Sequence, residues 1–292
     1  MREITLEQLL EAGCHFGHQV TRSNPKARDF IYEARDNIHI IDLVRTKQCL
    51  EEGATFIKSL AEKEGSSLII VGTKRQAKNI VEEEVKKAKD LFYISNRWVG
   101  GLLTNFDEVS KNFKKLKELS DRLQNEELKA KYTKKEIGLW AKEKEKLEDL
   151  YGGVVLLTKK PDALFIIDSH LEELAVREAI RMGVTTVAIV DTNADPDLID
   201  YPIPANDDAV GSIKLITSYI IDSWIEGRKN LLSKVQVKAE EESKEEQKAT
   251  LELEQKQEVK TTTSKTAIAK SKTEEKEGKD VKRKPRTTKK TS

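Results

Sequence analysis

"TTVAIVDT", residues 185–192, runs through six β-branched or apolar residues straight into an aspartate. The run does not alternate between polar and apolar, so neither row of side chains is marked for water. A strand apolar on both faces belongs inside a covered, parallel sheet. Similar runs occur at "SLIIVGT" (67–73), "LFYIS" (91–95) and "ALFIIDS" (163–169), with the shorter "YPIP" (201–204) as a fifth. Helical patterns separate them. Leu50, Ala54, Ile57, Leu60 and Ala61 mark a helix over 43–63 opened by Asp42, and another is expected over 75–89. A third ends at Met182 and Gly183, and a long last helix is expected from Asp207 to about Lys229. This alternation predicts an α/β fold, doubly wound, with a mainly parallel sheet and ligands gathering at the carboxyl ends of its strands.

Upstream, Thr5 and Gln8 have capping-box spacing before a short helix stopped by Gly13. "FIYEARDNIHIIDL" reads as two short strands around Arg35–Asn37. Between 106 and 150 the strand rhythm disappears. Phe106, Val109, Phe113, Leu116 and Leu123, then Ile137, Trp140, Leu147 and Leu150, keep helical spacing on either side of the polar "NEELKAKYTKKE". Two such helices make an inserted antiparallel coiled-coil hairpin, read either as a solvated spur or as a docking arm. From 233 to 292 there are 17 Lys and Arg, 12 Asp and Glu, and no aromatic residue. That segment is too polar to offset the entropy of ordering and is expected to be a disordered tail. The expected organisation is therefore an α/β domain of 1–105 and 151–232, a hairpin of 106–150, and the tail.

Residues 1–232 retain 35 basic and 39 acidic side chains, so a polyanion would be met by a local patch rather than by net charge. Two cysteines without disulfide-like spacing fit a reducing compartment. "MREITLEQLL" lacks the basic lead and apolar run of a secretory signal, and no stretch reaches the roughly 20 apolar residues of a membrane span. A cytoplasmic protein without membrane contact is expected.

"VGTKRQA" (71–77) offers a glycine and a lysine after a strand but not the spacing of a P-loop; "NRWVGGLLTN" (96–105) has paired glycines but no G-x-G-x-x-G. Both are weak nucleotide signatures. No G-x-S-x-G is present, and Cys14 has only His15 and His18 nearby as a base. Asp168 and Asp191 follow strands, where an enzyme places a phospho-acceptor but where an aspartate also commonly caps a turn. His18, Asp191, Asp195 and Asp208 would form a structural divalent-ion site if the "GCHFGH" segment folds over the sheet's carboxyl edge. Asx turns and helix caps explain the same acids without an ion. Cations beside aromatics are the stronger signal. Arg22, Lys26, Arg28 and Arg35 share a loop-rich stretch with Phe30 and Tyr32; Lys74 and Arg75 precede a helix; Arg97 adjoins Trp98. Guanidinium groups suit phosphate oxygens and a flat ring suits an unpaired base, so these are the candidate RNA contacts. A small-ligand-binding or enzymatic α/β module using the same edge is the alternative.

Several phrases coincide with one family in its order: "AGCHFGHQVTRSNPKARDFIYEARDNIHIIDLVRT", "VGTKRQA", "NRWVGGLLTNF", "PDALFIID", "VAIVDTNADPDLIDYPIPANDDA" and "EGR". From Ile4 to Arg228 the chain resembles bacterial small-subunit ribosomal protein S2. Ser23 stands where the family usually has Trp before Asn-Pro-Lys. The resemblance implies a flavodoxin-like domain with a protruding coiled coil and a non-enzymatic place between head and body of the small subunit. It also implies contacts with small-subunit ribosomal RNA and neighbouring proteins, in many bacteria including the large ribosomal protein S1.

Overall fold

A computed structural model describes residues 3–88 and 90–235. The chain falls into two units, Met1–Leu231 and Leu232–Ser292; of the second, 232–235 are described and helical. The expected tail, including "KRKPRTTKK" (282–290), otherwise lies outside the described residues.

Helix α1 (Leu6–Glu11) opens with the full capping box, Thr5 and Gln8 bonding each other's backbone. Strands β1 (Phe16–Gln19), β2 (Ile31–Arg35) and β3 (Ile38–Ile41) form a small antiparallel sheet in the order β1-β3-β2. Asp36 and Asn37 take positive φ between β2 and β3, as a tight hairpin turn demands. Helix α2 (Leu43–Ala61) follows, its first turn capped by Asp42.

The larger sheet is wholly parallel. It contains β4 (Leu68–Val71), β5 (Leu91–Ile94), β6 (Ala163–Ile166), β7 (Thr185–Val190) and β8 (Tyr201–Pro204), in the order β5-β4-β6-β7-β8. Successive strand residues feed opposite cores. Ile70, Phe165, Val187 and Ile189 pack with α2, α3 (Lys78–Val85) and a last helix, α8, over 210–235. Ile69, Leu164, Ile166 and Ala188 pack on the other side with α4 (Phe106–Gln124) and α7 (Glu173–Met182). Burial on both faces is the physical reason these strands read as unbroken apolar runs.

After α4 come the single turn α5 (Glu126–Lys129) and α6 (Lys134–Tyr151). Phe113 meets Tyr151, Lys115 pairs with Glu143, and Arg122 lies over Trp140, so α4 and α6 run antiparallel. Two expectations shift. The last helix begins at 210, because Asn206 rather than Asp207 accepts the backbone N–H groups of Asp208 and Ala209. The Arg228 of "EGR" turns inward, donating to the carbonyls of Ala61, Lys63 and Ser66 at the end of α2. It stacks over Trp224 at 4.7 Å and serves the fold. No helix among the described residues is long and apolar enough to cross a membrane.

Candidate RNA-binding rim and its acidic centre

Past the carboxyl ends of four neighbouring strands stand charged residues: Lys74 after β4, Asp168 after β6, Asp191 after β7, and Asp207 and Asp208 after β8. Lys74 Nζ lies 2.8 Å from Asp207, 2.6 Å from Asp208 and 3.2 Å from Asp168. Burial works against its charge, but hydrogen bonds to Asp207 and Asp208 win, and its pKa is raised. Asp207 is 1% exposed; burial, then the neighbouring Asp168 and Asp191, push its carboxyl up to about 7. The switch-point crevice between β4 and β6, where such sheets commonly take a ligand, is thus bridged by Lys74 and Asp168.

The amino-terminal segment does fold over this edge. Gly17 sits on Thr192, whose hydroxyl accepts from the His18 backbone at 2.9 Å. Asn24 N–H donates to the Thr192 carbonyl at 2.7 Å, and Asn206 N–H to that of Cys14 at 3.1 Å. His18 Nδ1 lies 3.1 Å from Asp191, and this contact outweighs burial to raise the imidazole pKa. Ligand atoms of His18, Asp191 and Asp207 fall within 4.8 Å of one another. Imidazole with two carboxylates suits a divalent transition metal, although Lys74 already supplies a cation to Asp207. Asp208 is 3.6 Å from His18 Nε2. Asp195 stands outside that group and pairs with Lys26 at 2.8 Å, alongside Asp197 at 3.1 Å.

The aspartates at strand ends act as turn formers. Asp168 Oδ1 accepts from the N–H groups of His170 and Leu171; Asp191 Oδ1 accepts from Thr192. Cys14 is fully buried and burial pushes its thiol pKa up, the opposite of an activated nucleophile.

"NRWVGGLLTN" resolves differently from either a phosphate cradle or a stacking platform. Its backbone N–H groups do converge on an anion, but the anion is the chain's own Glu178, 7% exposed on α7. Glu178 accepts from the N–H groups of Gly101 (2.7 Å), Leu103 (3.1 Å) and Thr104 (3.4 Å), and from Trp98 Nε1 (3.4 Å). Gly101 has φ +93°, a left-handed value that favours glycine. Trp98 is 4% exposed, so its ring is core and is not presented to a base. Glu178 was hidden from sequence reasoning. Its only signal was a charge on the same helical stripe as the buried Ala175 and Ala179.

The cations therefore divide. Lys26 and Lys74 are met by aspartates of this chain. Arg22, Arg28, Arg35, Arg75 and Arg97 are exposed and, among the described residues, in no ion pair. Unmet guanidinium groups around one sheet edge and its flanking hairpin are what a phosphate-rich partner requires.

Sequence comparison decides the family. The profile described as Ribosomal protein S2 matches residues 9–227. The chain belongs to the ribosomal protein S2 family. It is similar to the small ribosomal subunit protein uS2 of Coprothermobacter proteolyticus, 47% identical over 84% of this chain and 91% of that protein. The uS2 proteins of Fusobacterium nucleatum (42%, over 85% of this chain and 100% of that protein) and Geotalea uraniireducens (45%, over 82% and 93%) are similar in the same way. The S2 family is a structural, non-enzymatic component of the ribosome, which agrees with the buried thiol and the self-neutralised edge.

Proposed function

We infer that the chain is a structural constituent of the small ribosomal subunit in the cytoplasmic ribosome, binding small-subunit ribosomal RNA and neighbouring ribosomal proteins during translation. Membership of the S2 family over residues 9–227 carries this reading. Within it, Arg22, Arg28, Arg35, Arg75 and Arg97 are the proposed phosphate contacts, supported by their exposure and lack of internal partners. Lys26 and Lys74 are proposed as internal neutralisers whose contribution to RNA is indirect. Co-sedimentation of the chain with small subunits on a sucrose gradient is the test; a chain left at the top of the gradient would refute the assignment.

The strand order β5-β4-β6-β7-β8 supports a flavodoxin-like domain built from 1–105 and 151–232. The antiparallel α4 and α6 support reading 106–150 as a coiled-coil arm that docks on a neighbour, the large ribosomal protein S1 being one proposed partner. Deleting Val109 to Leu147 with a short linker should leave the body folded and impair subunit assembly. A divalent ion at His18, Asp191 and Asp207, with Asp208 beside it, is a proposed structural addition to the same edge. Asp208→Ala should lower the metal content of the purified protein, and a metal-free parent would end the idea.

A further inference from the structure

Beside the rim, between the turns that follow β6 and β7, lies a cavity of about 250 Å³ whose lining includes Ser169, Glu173, Val176, Asn193 and Leu198. Two polar atoms in that lining are buried without a hydrogen-bond partner, Ser169 Oγ and Asn193 Oδ1. Ser169 is 8% exposed. The other end of the Asn193 amide is occupied, its nitrogen 3.4 Å from His18 Nε2. Buried polar atoms are rarely left unpaired, and the space far exceeds what one water needs.

The surroundings select the missing partner. A hydroxyl and a carbonyl oxygen are joined by Glu173, which gives one carboxylate oxygen to Arg177 and keeps the other unbonded among the described residues. Val176 and Leu198 supply apolar walls, and Leu198 (36% exposed) and Leu171 (57%) leave apolar surface beside the opening. Several acceptors above an apolar sleeve fit a group with several N–H donors on a methylene stem, which describes an arginine side chain. Glu173, Asp195 and Asp197 make the opening unfavourable to a phosphate backbone, so the arginine comes from a polypeptide rather than the slot receiving RNA. We propose that this cavity is a docking pocket for an arginine flanked by apolar residues on a neighbouring protein. The ribosomal reading above supplies the setting for such a neighbour; the pocket itself is testable on the isolated chain.

The probe is a capped Leu-Arg-Leu tripeptide titrated at low salt into the isotopically labelled full-length chain, followed by amide chemical shifts. Saturable shifts centred on 169–173 and 193–195 are expected, with the Leu-Lys-Leu analogue binding more weakly, because a compact ammonium cannot bridge the separated acceptors. Ser169→Ala should leave Tm unchanged, since the hydroxyl bonds nothing, and weaken the tripeptide about 2–12-fold, the usual worth of one hydrogen bond. Absence of shifts at these residues would show that the cavity holds solvent only and overturn the proposal. Saturation by adenosine or cytidine in place of the tripeptide would assign it to RNA and overturn it equally. Neither result would bear on co-sedimentation with the subunit, so the two readings fail separately.

Discussion

The loops after β4 and after β5 look alike in sequence, each placing glycine and a cation at a strand's end. In "VGTKRQA" the lysine turns inward to Asp168, Asp207 and Asp208; in "NRWVGGLLTN" the backbone turns inward to Glu178. One loop brings a cation to buried acids, and the other brings amide donors to a buried acid. Both have their ligand supplied from within the chain. What each leaves outside is the adjacent arginine, Arg75 or Arg97. The comparison teaches that an apparent phosphate cradle can be internally saturated while its neighbour remains available to a partner.

The difference can be broken most forcefully at Glu178. Glu178→Leu strands three backbone donors and the Trp98 indole, and should lower stability by about 3–5 kcal/mol, read as the shift of a denaturant midpoint. Lys74→Met leaves its aspartates uncompensated, but Asp208 is half exposed to solvent. A smaller loss of about 2 kcal/mol is expected, by the same measurement. The arginines should behave in the opposite way. Arg75→Ala and Arg97→Ala should leave the unfolding midpoint within about 0.5 kcal/mol of the parent. Each should weaken attachment to small-subunit RNA and reduce the salt slope of binding by about 1. Should Arg97→Ala unfold the chain, or Lys74→Met cost only RNA affinity, the division between inner and outer charge would be wrong. The smallest effect is reserved for Lys26→Ala, whose exposed pairing with Asp195 and Asp197 should be worth no more than about 1 kcal/mol.

Much of this was legible because burial on two faces leaves a plain mark. The strands at 68–71, 163–166 and 185–190 carry no polar residue toward either core except Thr185 and Thr186, whose hydroxyl at 186 bonds Asp200. Strand β1 was not legible: "FGHQ" is four half-exposed residues without alternation, and it forms because Thr192, far along the chain, receives it. The cationic residues could be nominated from chemistry alone. Sorting them required the partners, since Lys74 and Arg75 are neighbours in sequence and face opposite fates. Trp98 likewise has the same composition context as a stacking residue and differs only in what covers it.

The pinning of the amino-terminal strands has a consequence for biosynthesis. Asn24 and Gly17 are among the first residues made, yet the Thr192 that holds them emerges about 170 residues later. At the usual pace of elongation that is a delay on the order of ten to thirty seconds. Throughout that interval the early arginines travel without their scaffold, so a chaperone or the nascent subunit itself has first access to them before the strand set clicks home.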